Sequence, residues 1–200
     1  MKKIFISAGE QSGDLHGSNL IYAIRDKDPD IEIYGLGNRK MIDAGMHCIH
    51  DMTKRSVMWV HAITKIHEFF KILSDSIGFF KTQRPDLVIL IDYCGFNFYV
   101  AKAAKKLGIP VMYYISPQIW AHGKWRVKKI KKLVDKMVVI YPFEEEIYRK
   151  AGVPVKYVGN PIIDELTKKS PDDEYIARLK SENGDNIIAF IGQEIKFDGT

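Results

Sequence analysis

The stretch Val111-Met-Tyr-Tyr-Ile115, followed by Ser116-Pro117-Gln118-Ile119-Trp120-Ala121-His122, gives the first indication of the fold. The first five residues form an apolar run that is typical of a buried strand. Pro117 fixes its own φ angle, lacks an N–H donor and disfavours helical geometry at Ser116, so the strand must end there. Trp120 is therefore predicted to lie on a loop at the carboxyl end of that strand, the edge where ligands bind in open parallel α/β sheets.

Outward from this stretch, short apolar strands alternate with helical patterns along most of the chain. Most of the strands lack polar alternation, as expected when helices cover both faces of a sheet. Strands separated by helices form right-handed βαβ units, so the predicted fold class is α/β, with a doubly wound, Rossmann-like parallel sheet. The predicted strands are Lys3–Ser7, Ile31–Leu36, Leu87–Ile91, Val111–Ile115, Met137–Ile140, Val155–Val158 and Ile187–Ile191.

Three helices are predicted from spacing alone. Asp14–Asp26 is one, and Phe96–Leu107 is another that Gly108 should stop. The third is Val60–Phe80, whose apolar residues recur every three or four positions and predict one wide face packed on the core. That face consists of Val60, Ile63, Ile66, Phe69, Phe70, Leu73, Ile77 and Phe80. The apolar cluster Val57-Met58-Trp59-Val60 just before it predicts an exposed patch for a lipid or a partner.

The length is that of one ordinary domain, or of one domain and the start of another. The 200 residues are 46% hydrophobic and 28% charged, with a net charge of +5. Two cysteines, Cys48 and Cys94, are too few for a disulfide framework and fit a reducing cytoplasm. No secretory signal is expected, because the first apolar run, Ile4-Phe-Ile6, is too short for one.

The turn Gly159-Asn160-Pro161 and the polar stretch Lys168–Asn186 predict a domain boundary. We expect residues 1–165 to form the Rossmann-like domain. Residues 166–200 should form a linker and the first strand of a second, incomplete domain. Because too little sequence follows that last strand to build a domain, the chain is expected to be cut short.

The first predicted strand turns through Ala8-Gly9-Glu10-Gln11-Ser12-Gly13-Asp14 into a helix. The glycines do not have the GxGxxG spacing, and no acidic residue follows Gly35-Leu-Gly37 to hold a ribose, so a nicotinamide or flavin site is disfavoured. The glycines still let an anionic ligand approach the backbone N–H groups at the helix start. Ser12 and Asp14 have an alternative role as N-caps of the helix.

Asp92 directly follows the strongest buried run, Leu87–Ile91. A carboxylate at the tip of a central strand faces the crevice and is partly desolvated, which raises its pKa toward that of a useful general base. The alternative is that Asp92 caps the Phe96 helix, although Asn97 is able to cap it as well. The histidines, His16 among them, lack metal-ligand spacing and are interpreted as incidental.

Cations are concentrated around the segment Trp125–Leu133, where Val127, Ile130 and Leu133 recur at helical spacing. This pattern predicts a helix in a membrane interface, with its apolar side in the acyl boundary and its cations on the headgroups. A solvated helix face is the alternative, and a nucleic-acid site is disfavoured because interleaved aromatic residues are absent. The cations are Lys124, Arg126, Lys128, Lys129, Lys131, Lys132 and Lys136.

Taken together, these motifs resemble those of lipid-A-disaccharide synthase, a bacterial inverting glycosyltransferase with two Rossmann-like domains (the GT-B type). The matching motifs are Ala8–Asp14, Ser56-Val57-Met58, Pro85-Asp86, Ile91-Asp92, Phe96-Asn97, Ser116–Ala121, Arg126, Pro142-Phe143-Glu144 and Val158–Pro161. Their order and spacing cover residues 3–165.

The resemblance implies a reaction between a UDP-2,3-diacylglucosamine donor and a 2,3-diacylglucosamine 1-phosphate acceptor. The product is the β-1,6-linked lipid A disaccharide, and UDP is released. Neither a metal nor another cofactor is implied, and no nucleic acid takes part. The N-terminal half handles the acceptor and the C-terminal half binds the donor. The expected location is cytoplasmic, peripheral on the inner membrane, where both substrates lie on an anionic surface.

The resemblance also implies roles for single residues. Asp92 becomes the general base that takes the proton of the attacking sugar hydroxyl. Predicted substrate-binding residues are Glu10, Ser12, Gly13, Asp14, Met58, Asn97, Gln118, Trp120, Arg126, Glu144 and Asn160. Predicted membrane-surface residues are Trp59, Trp125, Lys128, Lys129, Lys131 and Lys132.

The sequence departs from the family pattern at Trp59, Ala62, Gly95, His122 and Asn160. In addition, Gly192-Gln193-Glu194 stands where the family has Pro-Gly-Ser-Arg, so the arginine that meets the donor's diphosphate is absent. Its loss should raise the barrier by several kcal/mol. One alternative is therefore an inactive or partial acceptor-binding domain that associates with acylated sugar phosphates at the membrane and needs a separate donor-domain chain. Another is a glycosyltransferase that acts on a different lipid-linked sugar.

Overall fold

The computed structural model describes residues 1–51, 62–117, 126–167 and 172–183. Strands and helices alternate throughout these residues, as the pattern of apolar runs predicts. The strands are β1 (Lys3–Ala8), β2 (Glu32–Gly37), β3 (His47–Asp51), β4 (Leu87–Ile91), β5 (Val111–Tyr114), β6 (Lys136–Val139) and β7 (Val155–Tyr157). The helices are α1 (Gln11–Lys27), α2 (Arg39–Asp43), α3 (Ala62–Gln83), α4 (Cys94–Lys106), α5 (Val127–Leu133), α6 (Pro142–Lys150), α7 (Pro161–Thr167) and α8 (Asp173–Asn183).

The strands form one parallel sheet in the order β3-β2-β1-β4-β5-β6-β7. From β1 the chain winds outward to β2 and β3, and α3 then brings it back to β4 on the other side of β1. The winding direction therefore reverses between β1 and β4, whose carboxyl ends are level because Ala8 pairs with Ile91. This arrangement confirms the predicted doubly wound sheet.

Alternate residues of the central strands enter two separate cores, as the period of two in a strand requires. Phe5, Val88 and Leu90 join the core beneath α3, α4 and α5, while Ile6 and Ile89 join the core beneath α1 and α2. Both faces of the sheet are thus covered by helices. Because helices cover both faces, the strands are continuous apolar runs in the sequence.

The strand prediction missed β3. Its sequence, His47-Cys48-Ile49-His50-Asp51, contains one aliphatic residue, so no apolar run marks it. Among the described strands β3 lies at the edge and pairs with β2 alone, and an edge position tolerates polar side chains. The other described strands match the prediction to within two residues at each end, and Ile187–Ile191 lies outside the described residues.

Helix α3 corrects the prediction that Val60–Phe80 has one core-facing apolar side. Ile72 and Phe80 are buried, but Ile66 and Phe70 are 57% and 59% exposed. The N-terminal part of α3 therefore presents apolar surface to the outside. Within the described residues, no helix combines the length and the hydropathy needed to cross a bilayer.

The chain divides into two compact units, Met1–Pro161 and Ile162–Thr200. The first unit contains the whole described sheet. In the second, the described residues form α8 and all but the first residue of α7.

Candidate active site at the switch point

The reversal of winding between β1 and β4 places two turns side by side at the carboxyl edge of the sheet. One turn follows Ala8 and leads into α1, and the other follows Ile91 and leads into α4. In doubly wound sheets, the crevice at this reversal is where ligands bind. Asp92, the predicted general base, is the first residue beyond β4.

Asp92 has an unusual backbone conformation. Its φ angle is +42°, and Tyr93 follows with a φ angle of +46°, so two consecutive residues other than glycine lie in the left-handed region. Its N–H donates to the carbonyl of Ile115, beyond the end of β5, at 3.3 Å. Left-handed residues that carry side chains are strained by about 1–2 kcal/mol and accumulate at functional sites, where the surrounding structure holds them.

Asn97 connects the tips of β1 and β4. Its side-chain nitrogen donates to the carbonyls of Asp92 (2.8 Å) and Ile91 (3.2 Å), and its side-chain oxygen accepts from the hydroxyl of Ser7 at 2.7 Å. Asn97 is fully buried. Asn97 therefore positions the turn that carries Asp92, and its predicted contact with the substrate stays a prediction.

The capping alternatives for this turn are also wrong. The N-cap of α4 is Tyr93, and no side chain makes the capping hydrogen bond. The Asp92 carboxyl is therefore not engaged in capping the helix, and half-burial leaves it accessible to the crevice.

Burial raises the pKa of the Asp92 carboxyl above its ordinary value. A hydrogen bond from the Tyr93 backbone and the charge of His16 oppose this rise. His16 lies on α1 and is buried. An aspartate with a raised pKa accepts a proton more readily than an exposed one, which suits a general base.

The turn after β1 depends on close packing between Gly9 and Tyr93. A Cβ atom at Gly9 would lie 2.3 Å from the ring of Tyr93, so no larger residue fits there. This contact seats the turn of β1 against the turn of β4. The predicted residues Glu10 and Ser12 are exposed at this edge and accessible to a ligand.

Asp14 has a structural role that differs from both predictions. It lies within α1, where Glu10 holds the N-cap position, and it is 4% exposed. Its carboxylate accepts from the backbone N–H groups of Asn38 (2.8 Å), Lys40 (3.0 Å) and Met41 (3.2 Å). Asp14 therefore caps α2, and its prediction as a ligand or as the cap of α1 is corrected.

Gly13 and Ser12 both lie in the first turn of α1. A Cβ at Gly13 would lie 3.3 Å from that of Ala8 and 3.7 Å from a methyl of Ile91, so Gly13 lets α1 pack closely on β1 and β4. It is buried, and its expected contact with an anion stays a prediction. Ser12 lies inside α1 and is not its N-cap.

Glu144 lies on α6 and holds the segment Ser116-Pro117 that follows β5. It is 1% exposed near the start of α6 and accepts from the hydroxyl of Ser116 at 2.7 Å. On the same helix, the hydroxyl of Tyr148 donates to the carbonyl of Pro117 at 3.3 Å. Glu144 is thus buried where it holds Ser116, and its predicted contact with the substrate stays a prediction.

Arg126 is brought to the site and Asn160 is not. Arg126 donates from Nη1 to the sulfur of Cys94 at 3.4 Å, two residues beyond Asp92. Asn160 follows β7, which is three strands away from β4. At about 4.8 Å per strand, this is a separation of roughly 14 Å.

Five predicted residues lie outside the described residues, namely Met58, Trp59, Gln118, Trp120 and Trp125.

Helix α5 shows that the basic segment has a different orientation from the predicted one. Ile130 is fully buried, and Val127 and Leu133 pack against the same core. The apolar side therefore faces the protein, and the prediction that it enters the acyl boundary of a membrane is wrong. The cationic side is exposed, and it carries Lys128, Lys129, Lys131 and Lys132.

Comparison with known sequences gives matches over nearly the whole chain. The family profile for lipid-A-disaccharide synthetase matches residues 4–195. The lipid-A-disaccharide synthase of Geobacter metallireducens is 44% identical over 188 residues, which are 94% of this chain and 49% of that protein. Lipid-A-disaccharide synthase 1 of Legionella pneumophila (strain Lens) is 45% identical over 194 residues, covering 94% of this chain and 50% of that protein. The chain spans about half the length of these curated relatives.

Solved structures share the fold at low sequence identity. A putative UDP-N-acetylglucosamine 2-epimerase from Listeria monocytogenes has a TM-score of 0.65 at 12% identity, covering 90% of this chain and 51% of that one. S. aureus MnaA, solved with UDP, has a TM-score of 0.64 at 14% identity, covering 86% and 48%. Acinetobacter baumannii MurG has a TM-score of 0.51 at 12% identity, covering 80% and 45%. At these identities the likeness concerns the fold alone.

Proposed function

The chain belongs to the lipid-A-disaccharide synthetase family, and on that premise we propose that it provides the acceptor side of an inverting glycosyl transfer. The donor is UDP-2,3-diacylglucosamine, the acceptor is 2,3-diacylglucosamine 1-phosphate, and the products are the β-1,6-linked lipid A disaccharide and UDP. The observation that carries this proposal is Asp92, a half-buried carboxylate with a raised pKa at the switch point.

The proposed mechanism follows from the chemistry of a sugar hydroxyl, which is a poor nucleophile while protonated. Asp92 takes the proton of the acceptor hydroxyl as its oxygen attacks the anomeric carbon of the donor. The new bond forms on one side of that carbon while the bond to the UDP oxygen breaks on the other, so the configuration inverts. Metal ions and other cofactors have no part in this scheme.

Three accessible groups are proposed to orient the acceptor. Glu10 and Ser12 are exposed on the neighbouring turn and would accept and donate hydrogen bonds to sugar hydroxyls. Arg126 lies beside Cys94 and would meet the acceptor phosphate, for which a guanidinium is the best-matched side chain. Met58, Gln118 and Trp120 remain proposals from the family resemblance.

The proposed domain arrangement assigns residues 1–165 to the acceptor side. Residues 166–200 are proposed as a linker and the first strand of a donor-side domain. The donor would be held by sequence corresponding to the other half of the relatives, in the same or a separate chain. The chain spans about half the length of its curated relatives.

We place the protein at the cytoplasmic face of the inner membrane, where its acylated substrates reside. Ile66, Phe70 and Tyr99 are exposed apolar side chains of α3 and α4, and the ring of Phe69 contacts the rings of both Phe70 and Tyr99 at 5.5 and 5.3 Å. The ammonium group of Lys129 lies 5.6 Å from the centre of the Tyr99 ring. An apolar patch thus adjoins the cations of α5, a combination that suits an anionic lipid surface.

The direct test of the proposed function is the release of UDP from the two acylated substrates. Mass spectrometry of the product distinguishes the lipid A disaccharide from any other lipid-linked sugar. UDP release with this product supports the proposal. Absence of UDP release in the presence of the donor-side half, supplied in the same or a separate chain, would contradict it.

Membrane attachment through α5 predicts a loss of vesicle binding when its charges are removed. Changing Lys128 and Lys132, which lie one turn apart, to glutamine should weaken binding to phosphatidylserine-containing vesicles about thirtyfold, at about 1 kcal/mol per lysine. Vesicle sedimentation at low salt measures this, and added salt should diminish the difference.

The matched control for that experiment is a pair of lysines on the opposite face of the sheet. Lys27 and Lys40 are exposed on α1 and α2, so their change to glutamine alters net charge equally but leaves α5 intact. An equal loss of binding in both pairs would mean that net charge, and not the α5 surface, drives attachment.

A further inference from the structure

We propose that Tyr113 is a positioning residue for the glycosyl transfer, because its hydroxyl holds the backbone of Asp92 in the conformation that presents the carboxylate to the crevice. This inference rests on the proposed function of Asp92 as the general base. Tyr113 lies on β5, the neighbour of β4, and belongs to no motif that the family resemblance uses.

The contact is a hydrogen bond within the core. Tyr113 is fully buried, and its hydroxyl donates to the carbonyl of Asp92 at 2.5 Å. Its ring packs against Phe98, with ring centres 6.4 Å apart. Burial raises the pKa of Tyr113 well above its ordinary value, so the hydroxyl keeps its proton and remains a donor at physiological pH.

Packing alone does not require this hydroxyl. Phenylalanine has nearly the same shape and avoids the cost of burying a polar group, which tyrosine offsets only by finding a partner. The partner here is the carbonyl of a strained residue 21 positions earlier in the chain. The hydroxyl therefore has its polar contacts at the turn of Asp92, with the Asp92 carbonyl and with the side chain of Asn97.

The strain explains why Asp92 needs more than one hydrogen bond. Asp92, Tyr93 and Ile115 all have φ angles between +42° and +64°, and the N–H of Asp92 donates to the carbonyl of Ile115. A different backbone conformation at Asp92 would change the direction of its carboxylate. Its carbonyl is held from two directions, by Asn97 of the following helix and by Tyr113 of the neighbouring strand.

Tyr113 also connects Asp92 to β5 and so to the segment that follows this strand. The strand that carries Tyr113 ends one residue later and continues into Ser116-Pro117, which α6 holds in place. Asn97, by contrast, anchors Asp92 to β1 and to its own strand. Among the described contacts to the Asp92 carbonyl, Tyr113 alone fixes the base relative to β5.

The test is the variant Tyr113→Phe in the intact protein. The loss of one buried hydrogen bond should lower kcat for UDP release about tenfold, while KM for both substrates changes less than about twofold. Backbone amide hydrogen exchange at Asp92 and Tyr93 should accelerate about tenfold as the strained turn opens more often. Tyr34→Phe is the matched control, because Tyr34 on β2 keeps its ring contact with Phe79 (4.9 Å) and lies away from Asp92.

The outcomes separate the positioning role from the function on which it rests. If the unmodified protein releases UDP and Tyr113→Phe does so at the same kcat, the positioning role is overturned and the proposed function stands. If Tyr34→Phe lowers kcat by the same factor, the loss in Tyr113→Phe comes from a general loss of stability, and the positioning role is again overturned. If the unmodified protein releases no UDP, the proposed function itself fails, and with it the positioning of a base. A kcat loss with faster exchange in Tyr113→Phe alone supports the proposal.

Discussion

Replacement of Asp92 by asparagine is expected to lower the rate of UDP release about a thousandfold, within the usual range for the loss of a general base. Asparagine keeps the shape of the side chain and tolerates the left-handed conformation that Asp92 adopts, with a φ angle of +42°. The fold should therefore persist, and acceptor binding should remain. The measurement is UDP release with both acylated substrates, together with acceptor binding and a urea unfolding curve for the variant.

The matched control is Asp43→Asn, which makes the same chemical change at an exposed aspartate paired with Arg39 on α2. It should leave turnover unchanged. Equal turnover in the Asp92→Asn variant and the unmodified protein would exclude Asp92 as the base and, with it, the mechanism proposed above.

The pH dependence of turnover has a sign that follows from the same residue. A base acts only when deprotonated, so kcat should fall as the pH falls through the pKa of Asp92. Burial raises that pKa above the ordinary value of 3.8, so the acid limb should lie at higher pH than for an exposed aspartate. The rate profile, measured over the acid range with stability monitored in parallel, should lack this limb in Asp92→Asn. A limb that persists unchanged in the variant would belong to another group.

The fold was predictable because a strand that is buried on both faces is a continuous apolar run, and such a run is visible in a single sequence. Leu87–Ile91 and Met137–Ile140 are apolar without alternation, and both lie within the sheet beneath helices. Strand β3 escaped prediction for the opposite reason, since an edge strand does not need apolar residues on both sides. The exposure of part of α3 was not predicted, because helical spacing shows which residues share a face but not whether anything covers that face.

The site was predictable where chemistry follows a strand end, and less so where contacts are distant in sequence. A lone carboxylate after a buried run predicts Asp92 as a site residue, and Asp92 lies at the switch point, where its role as the base stays a proposal. The sequence predicts Asp14 either to bind a ligand or to cap its own helix, yet it caps α2, which begins 25 residues later. No local pattern shows such a partner. Tyr113 was not predicted, because it lies in an apolar run. Such a run indicates that the ring is buried but not which group the hydroxyl contacts.

Asn97 gives the second large expectation, a loss of stability of about 3 kcal/mol in Asn97→Ala, since several buried groups lose their partners at once. The variant leaves the hydroxyl of Ser7 and the carbonyl of Ile91 without the amide that now satisfies them, and it opens a cavity between β1 and β4. Urea unfolding measures the loss. Ser76→Ala is the control, because it removes one buried hydroxyl that donates to Ile72 within α3 and should cost about 1 kcal/mol.

A double-mutant cycle then tests whether the cost comes from the link between the two strands. Ser7 and Asn97 share a hydrogen bond of 2.7 Å, so the double variant Ser7→Ala/Asn97→Ala should lose less stability than the sum of the single variants. Ser76→Ala combined with Asn97→Ala should be additive, since those residues share no hydrogen bond among those described. Additive losses for Ser7 and Asn97 would mean that the amide acts mainly on β4. Asp92 would then be held by its own strand and by β5, and β1 would contribute packing rather than support.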